Sequence, residues 1–176
     1  LAAVAIALSA GAELEAVRRA LRDFRGEEHR LEYVLERDGI VYYNNSKATN
    51  SLATIKALES FEHPVVLIAG GLERGSDYRE LLPYLRKGVK AVVALGETRH
   101  KFAKLAAEAG ISAVKTVDTA NNAGSAAEAI DEAVRAARSF ASPGDVVLLS
   151  PSCASWDMFE SFEIRGRMFK QSVHKL

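Results

Sequence analysis

Cysteine is almost missing from this chain: Cys153 is the only one among 176 residues. One cysteine excludes an internal disulfide and a zinc site built from several cysteines, and it agrees with a reducing, cytoplasmic location. Cys153 also has no base close to it in the sequence, which argues against a catalytic thiol. The four histidines show no metal-ligand spacing. We therefore expect no metal site in the chain.

An excess of charge of one sign is also missing. Lys plus Arg and Asp plus Glu both number 23, and the two signs are interspersed. Nucleic-acid-binding domains usually carry a basic excess, so no nucleic-acid partner is expected. The apolar stretch 1–10 is too short to span a bilayer and lacks a basic flank, so no membrane partner is expected either. A small molecule or another protein domain remains as the partner.

The chain opens with two helical patterns. Residues 1–10 are apolar on every face, which is typical of a helix buried against protein, and we interpret them as a truncated helix whose upstream part is missing. Residues 13–24 then show helical spacing, and Gly26 ends the pattern. The apolar residues of this second stripe are Leu14, Val17, Leu21 and Phe24.

β-Rich runs come next, LEYVLE and IVYYN, and the pair Asp38-Gly39 between them predicts a hairpin. Helical and strand patterns then alternate. We predict helices at 50–60, 78–87, 97–109 and 125–140, strands at 65–69, 91–95, 113–116 and 146–149, and a last helix from Trp156. The strands VVLIA, AVVAL and VVLL are continuous apolar runs, typical of parallel strands covered on both faces. The sequence therefore predicts a doubly wound, mostly parallel α/β domain of the Rossmann-like kind, preceded by two helices and a β-hairpin.

In such folds ligands bind where strands end and loops lead into helices. The first such loop, NNSKATN at residues 44–50, offers Lys47 just before a helix amino terminus, where an anion is favoured. The alternative interpretation is that Thr49 or Asn50 only caps the helix and that Lys47 is a solvated charge.

The second loop, at residues 70–77, pairs two glycines with Arg74, whose planar guanidinium can hold a carboxylate through two hydrogen bonds. Alternatively, Arg74 is an ordinary surface arginine. The loop matches neither the dinucleotide fingerprint nor the phosphate-cradling loop, and the latter is absent from the whole chain.

The third loop, at residues 150–156, contains small residues before Trp156, so backbone N–H groups at the start of the predicted last helix could hold a carboxylate. The alternative is that Ser155 caps this helix while Trp156, Phe159 and Phe162 pack its inner face. Because the three loops share one sheet edge, together they predict a site for a ligand with two or more carboxylate or phosphate groups.

Four motifs then carry a family resemblance: HRLEY at 29–33, NNSKATN at 44–50, AGGLERGSDY at 69–78 and LLSPSCASWDMFESFEIRG at 148–166. In this order and spacing they resemble the carboxyl-terminal domain of the Mur ligases that add D-glutamate. The resemblance assigns residues 28–176 to that amino-acid-binding domain. Residues 1–27 resemble the last helices of the family's central ATPase domain.

The resemblance implies that ATP phosphorylates the carboxylate of UDP-N-acetylmuramoyl-L-alanine and that the amine of D-glutamate then attacks the acyl phosphate. ATP and Mg²⁺ would be bound mainly by domains outside this chain, which alone would be inactive. By motif matching, D-glutamate would be surrounded by Thr49, Arg74, Ser155 and Phe162, with the backbone at Ser155 and Trp156 assisting. The nucleotide side of the cleft would hold His29, Arg30, Asn45 and Lys47.

Two departures from the family pattern accompany this assignment. The family often has lysine at the position of Arg74, and either cation can serve a carboxylate. Asn45 stands where aspartate is more common, and an amide can hydrogen-bond a ribose hydroxyl but supplies no negative charge. A second hypothesis is a stand-alone module that binds an acidic amino acid or a nucleotide, because a doubly wound fold alone does not fix function.

Overall fold

The computed structural model describes residues 2–24, 26–118 and 126–176. Its helices are α1 (Ala2–Ser9), α2 (Leu14–Asp23), α3 (Ser51–Leu58), α4 (Leu82–Gly88), α5 (Arg99–Glu108), α6 (Ala126–Phe140) and α7 (Phe162–Lys175), with a 3₁₀ turn at Arg79–Leu81. Its strands are β1 (Glu32–Arg37), β2 (Ile40–Asn44), β3 (Val65–Ala69), β4 (Val89–Ala94), β5 (Ala113–Thr116) and β6 (Val146–Leu149).

β1 and β2 form the predicted hairpin. They are antiparallel, and Arg37 pairs with Ile40 across the turn. Asp38 and Gly39, the two residues between them, have φ values of 54° and 73°. Positive φ at both central positions is what a type I′ turn needs, and an Asp-Gly pair adopts it at little cost. The hairpin therefore follows directly from the local sequence.

The sheet has the strand order β1-β2-β6-β3-β4-β5, and every neighbouring pair except β1 and β2 is parallel. β6 lies between β2 and β3. The hairpin β1–β2 is on one side of β6, and β3, β4 and β5 follow one another outward on its other side. Leu149 of β6 is in register with Asn44 on one side and with Ile68 on the other. The carboxyl ends of these three strands are therefore level, and the loops that follow them lie side by side.

Helices cover both faces of this sheet. Alternate residues of β3 point to opposite sides: Val65 and Leu67 pack with α3, α4 and α5, whereas Val66 and Ile68 pack with α6 and α7. All four side chains are at most 1% exposed. Full burial of each such aliphatic side chain contributes roughly 1.5–3 kcal/mol. Helices on both faces thus explain the continuous apolar strands, as inferred from the sequence. The doubly wound fold is confirmed.

The predicted start of the last helix is wrong. α7 begins at Phe162 rather than at Trp156, because Ser161 is its amino-terminal cap and accepts a hydrogen bond from the Ile164 N–H at 3.3 Å. Upstream of this cap, the Ser155 carbonyl accepts hydrogen bonds from the N–H groups of residues 158 and 159, at 3.1 and 2.8 Å, and closes a separate turn. Ser155 is therefore not a helix cap, and the loop after β6 extends over 150–161.

The predicted helix at 78–87 is divided. A 3₁₀ turn occupies Arg79–Leu81, and α4 starts only at Leu82. Pro83 lies in the first turn of α4, where its missing N–H group costs no helical hydrogen bond. The helix predicted at 125–140 is α6, although Ser125 lies outside the described residues.

The two amino-terminal helices are exposed in this chain. None of the residues of α1, all of which are described, is buried, so the expected burial of this apolar helix is not met within the described part of the chain. In the stripe of α2 only Val17 is buried, while Leu14 and Leu21 are 50% and 59% exposed. In the part of the chain that the structure describes, no helix combines the length and apolarity needed to cross a membrane.

Candidate functional site

An open groove of about 730 Å³ follows the carboxyl end of β2 and is bordered by the first turns of α3 and by Phe162. We call it the β2 groove. Five of the site residues predicted from the sequence line it: Arg30, Asn45, Lys47, Thr49 and Phe162. The structure therefore brings together two residues assigned to D-glutamate and three assigned to the nucleotide. Thr49 is exposed in this groove, and Asn50, not Thr49, caps α3 by accepting a hydrogen bond from the Ala53 N–H at 2.9 Å.

Lys47 has two neighbours in the groove. Its ammonium lies 5.8 Å from the centre of the Phe162 ring and forms an ion pair with Glu27. Glu27 also pairs with Arg30, at 3.1 Å. The hydrogen bond and charge of Lys47 lower the pKa of Glu27, so this carboxyl is ionised at neutral pH. An anionic ligand that uses Lys47 must therefore compete with Glu27 for the ammonium group or share it.

Asn45 joins the two sides of the site. It is 5% exposed; its Oδ1 accepts a hydrogen bond from the Leu31 N–H at 3.1 Å, and its Nδ2 donates to Ser150 Oγ at 3.0 Å. Ser150 in turn donates to Thr54 Oγ1 at 2.9 Å, and Ser152 donates to the same oxygen at 2.8 Å. A buried chain of polar groups thus connects the loops after β2 and β6. Sequence reasoning missed it, because serine and threonine in loops carry no signal of burial.

Arg165 is a second connection between these loops that sequence reasoning missed. Its side chain is 1% exposed. The guanidinium donates to Ser46 Oγ and Ser46 O, at 3.0 and 2.8 Å, and to Cys153 O at 3.1 Å. Burial lowers the pKa of Arg165 to about 10, so it remains a cation at neutral pH. An arginine in a helix is usually solvated, and only its place in the EIRG motif pointed to it.

Cys153 is buried beneath the site. Its sulfur lies 3.1 Å from the hydroxyl of Tyr78 and 3.4 Å from Thr98 Oγ1. Burial raises the pKa of the Cys153 thiol, and it also raises the pKa of the Tyr78 hydroxyl. Both groups are therefore neutral at physiological pH. A neutral, enclosed thiol is a packing group rather than a nucleophile.

The loops after β3 and β6 meet through their backbones. The Leu72 N–H donates to the Ala154 carbonyl at 3.0 Å. Gly71, with φ 151°, makes this approach possible, since a Cβ there would lie 2.4 Å from the same carbonyl oxygen. Above this contact, Cζ of Arg74 lies 5.0 Å from the centre of the Trp156 ring. Arg74 and Trp156 are exposed and Ser155 is buried.

Residues 29–153 match the family described as Mur ligase, glutamate ligase domain. The chain belongs to this family. Over its whole length this Mur ligase domain is 51% identical to the UDP-N-acetylmuramoylalanine–D-glutamate ligase of Geobacillus kaustophilus. It is 50% identical to the enzyme of the same name from Bacillus subtilis and 48% identical to that from Bacillus thuringiensis. The domain spans 37% of the length of each of these relatives.

The fold of the Mur ligase domain is also similar to a solved structure. A crystal structure of folylpolyglutamate synthase from Thermotoga maritima superposes with a TM-score of 0.54, covering 94% of this chain and 35% of that one. The two sequences are 15% identical. A likeness at this level concerns the fold alone.

His29 of the Mur ligase domain is packed inside the protein rather than presented to the groove. It is 2% exposed and has φ 65°. Asn44 uses Oδ1 to accept from the Ser46 N–H, so its Nδ2 faces His29 Nδ1 at 2.9 Å, an arrangement that fits the neutral tautomer with its proton on Nε2. Burial lowers the pKa of His29. Its backbone carbonyl, which accepts from the Lys47 N–H at 3.0 Å, is what ties it to the groove. A nucleotide contact by its side chain stays a prediction.

Glu28, His29 and Glu32 place one potential metal-ligand atom each within 4.8 Å of one another. Lys170 already bridges the two carboxylates, at 2.7 Å from Glu28 and 2.8 Å from Glu32. Hydrogen bonds and charge from Lys170 lower the pKa of Glu28, so the cluster is an ion-pair network at neutral pH. A metal ion would have to compete with this ammonium group.

Proposed function

We propose that this Mur ligase domain is the carboxyl-terminal part of a cytoplasmic, ATP-dependent ligase that joins D-glutamate to UDP-N-acetylmuramoyl-L-alanine. Identity of 48–51% over the whole chain to enzymes named for this reaction supports the proposal. Because the chain spans 37% of those enzymes, the complete activity belongs to the full-length protein. Residues 1–27 are assigned to the central ATPase domain, and residues 28–176 to the amino-acid-binding domain.

The observation that carries the proposal is the charge of Arg74, which no acidic side chain of the described residues neutralises. Among the residues that the structure describes, no carboxylate oxygen lies within ion-pair distance of its guanidinium. The neighbouring Glu73 is engaged elsewhere, with Lys101 at 2.6 Å and with the Gly75 N–H. An arginine that contacts an aromatic ring but, among the described residues, no carboxylate, at the carboxyl end of a parallel strand, fits the carboxylate of a small acidic ligand.

In this proposal one group of residues binds D-glutamate and another lies on the nucleotide side. Arg74 holds a D-glutamate carboxylate, while Thr49, Ser155 and Phe162 complete the pocket around the amino acid, assisted by the backbone at Ser155 and Trp156. His29, Arg30, Asn45 and Lys47 belong to the nucleotide side. ATP and Mg²⁺ are bound mainly by domains outside this chain. Transfer of the terminal phosphoryl group turns the acceptor carboxylate into an acyl phosphate, so that attack by the amine can expel phosphate.

Lys47 connects the boundary between the two assigned domains with the nucleotide side of the cleft. Its partner Glu27 lies at the assigned boundary between the two domains, so the ion pair joins the boundary segment to the β2 groove. When the carboxyl-terminal domain closes over the nucleotide, a phosphate is the stronger partner for the ammonium because it carries more charge. Exchange of Glu27 for the nucleotide accompanies closure in this scheme.

The test is phosphate release by the full-length protein with ATP, UDP-N-acetylmuramoyl-L-alanine and either D- or L-glutamate. We expect release that depends on the acceptor and on D-glutamate, with L-glutamate as the matched control. The present chain alone should show no turnover, since it lacks a phosphate-cradling loop. A full-length protein that releases no phosphate with D-glutamate contradicts the proposal.

A further inference from the structure

Trp156 is the only tryptophan of the chain, and its side chain is 62% exposed. A large aromatic ring in this position gains little from burial, so packing does not explain it. Its neighbours in sequence differ: Ser155 is 2% exposed and Phe159 is 6% exposed. The turn closed by the Ser155 carbonyl fixes the backbone at this point. The loop thus presents the Trp156 ring to solvent directly after a run of buried residues, 150–155.

That ring is occupied by Arg74, whose Cζ lies 5.0 Å from the ring centre. The distance is within the range of a cation–π contact, and tryptophan is the aromatic side chain that binds cations best. The two loops are joined just below, where the Leu72 N–H donates to the Ala154 carbonyl. This backbone hydrogen bond therefore places the loops that carry Arg74 and Trp156 next to each other.

The contact with Trp156 leaves hydrogen-bonding capacity of Arg74 available. A cation–π contact uses no hydrogen-bond acceptor atom, and a guanidinium has five N–H donors, so several of them can still reach a ligand. Among the described residues, no carboxylate takes them. The contact favours one position of this exposed side chain while its donors stay available, and such a preference reduces the entropy that a ligand must remove on binding.

We propose that Trp156 is a positioning residue, whose ring holds the Arg74 guanidinium in place to receive a carboxylate of the amino-acid substrate. This inference rests on the proposed function, because it takes D-glutamate as that substrate. It assigns a role to the Trp156 side chain, which acts on the ligand only through Arg74.

A double-mutant cycle on the full-length ligase tests the inference. Trp156→Leu should raise the KM for D-glutamate about 2- to 5-fold, the change that an exposed cation–π contact corresponds to. The kcat and the KM for ATP should stay unchanged. Trp156→Phe should recover much of the loss, because it restores an aromatic face. In an Arg74→Ala background, Trp156→Leu should have no further effect.

Tyr33→Leu is the matched control. Tyr33 is 56% exposed, lies on the edge strand β1 and packs against Tyr43 rather than against a cation. This substitution removes an aromatic ring of similar exposure and should leave the KM for D-glutamate unchanged.

Fluorescence gives a second readout on the present chain, since Trp156 is its only indole. Arg74→Ala should change the emission of the unliganded chain, whereas Arg79→Ala should not. The inference is overturned if emission is the same with and without Arg74. It is also overturned if Trp156→Leu acts equally in both backgrounds, or if it leaves the KM for D-glutamate unaltered in an active ligase. A wild-type full-length protein that does not use D-glutamate at all refutes the proposed function instead, and the inference with it.

Discussion

His29 and Gly166 are in direct contact, and the imidazole occupies the space where a side chain at position 166 would begin. A Cβ on Gly166 would lie 2.2 Å from His29 Nδ1 and 3.1 Å from Asn44 Nδ2. The ring cannot easily move away, because Asn44 holds Nδ1 and the Phe162 ring packs edge-on, with centroids 6.0 Å apart. Glycine at position 166 is therefore a requirement of the buried histidine.

Gly166→Ala should consequently destabilise the domain. In an open helix this change gains up to about 1 kcal/mol of helix propensity. Here the clash with His29 should outweigh that gain, so that the free energy of unfolding falls by a net amount on the order of 1–3 kcal/mol. Urea unfolding of the present chain measures the difference, and His29→Ala should recover part of the loss in the double variant.

The control for this prediction is Gly88→Ala, also in a helix, where a Cβ meets no heavy atom within 4 Å among the described residues. It should be neutral or slightly stabilising. If Gly166→Ala unfolds at the same urea concentration as Gly88→Ala, position 166 has room for a methyl group beside His29.

His29 should also make stability depend on pH. Burial lowers its pKa in the folded state below the ordinary value of 6.5, so at mildly acidic pH the unfolded chain binds a proton that the folded chain does not. The free energy of unfolding should therefore fall as the pH is lowered through about 6.5 towards the folded pKa. The measurement is urea unfolding at several pH values between about 7.5 and 5.5.

His29→Asn is the matched variant, because asparagine tolerates the positive φ of this position and does not titrate. Its unfolding free energy should change less over the same pH range, whatever its absolute stability. Parallel pH profiles for wild type and variant would exclude His29 as the source of the dependence.

Arg165→Met should be strongly destabilising. Methionine fills a similar volume, but it leaves the carbonyls of Ser46 and Cys153 without the donors that Arg165 supplies. Each buried, unpaired acceptor costs about 1–3 kcal/mol, so the total loss should be on the order of 3 kcal/mol. Urea unfolding measures this loss in the free energy of unfolding. Arg167→Met, an exposed arginine on the same helix, should change stability by less than about 0.5 kcal/mol.

A companion measurement locates the damage caused by Arg165→Met. Cys153 is buried and is the only thiol of the chain, so it should react slowly with a thiol reagent in the folded wild type. Loss of the bonds to its carbonyl should speed this reaction in the Arg165→Met variant. An unchanged rate together with unchanged stability would mean that Arg165 does not hold the loop after β6.

Arg74→Ala should separate binding from folding. In the full-length enzyme we expect a loss of about 2–4 kcal/mol in kcat/KM for D-glutamate, roughly 30- to 1000-fold, because a ligand carboxylate loses a charged partner. The KM for ATP should change little. Folding stability should change by less than about 0.5 kcal/mol, as for an exposed residue outside the core. Arg79→Ala, an exposed arginine in the following 3₁₀ turn, is the control.

These quantities should be measured on one preparation. Normal kinetics with D-glutamate would remove Arg74 from the site. A large loss of stability would instead make it a structural residue, and the stack on Trp156 would then be its main role.

Much of the fold could be predicted because its determinants are local. The strand at 65–69 is a continuous apolar run, and Asp38-Gly39 fixes the hairpin through its own backbone preferences. The start of α7 was mispredicted for a non-local reason. Residues 156–161 include aromatics at helical spacing, but Phe159 anchors a turn in the core, and Ser161 caps the helix after it.

The site was predictable only in outline. Strand order brings three loops to one edge, and that rule does not depend on side chains. The contacts within the edge were not predictable, since the stack of Arg74 on Trp156 joins two irregular loops. His29 was assigned to the nucleotide side of the cleft, and nothing in the sequence indicated that its ring would pack against Gly166. Whether the remaining residues bind as assigned stays a prediction that the experiments above address.

The spacing of three residues on α7 has a mechanical consequence. Phe162, Gly166 and Lys170 follow one another at intervals of four, so they share one side of the helix, and all three contact the segment 28–32. Arg165, on the adjoining side, holds the loops after β2 and β6. A displacement of the segment 28–32 should therefore reach the cleft by two routes, through α7 and directly through the bonds of the His29 carbonyl and the Leu31 N–H to the loop after β2.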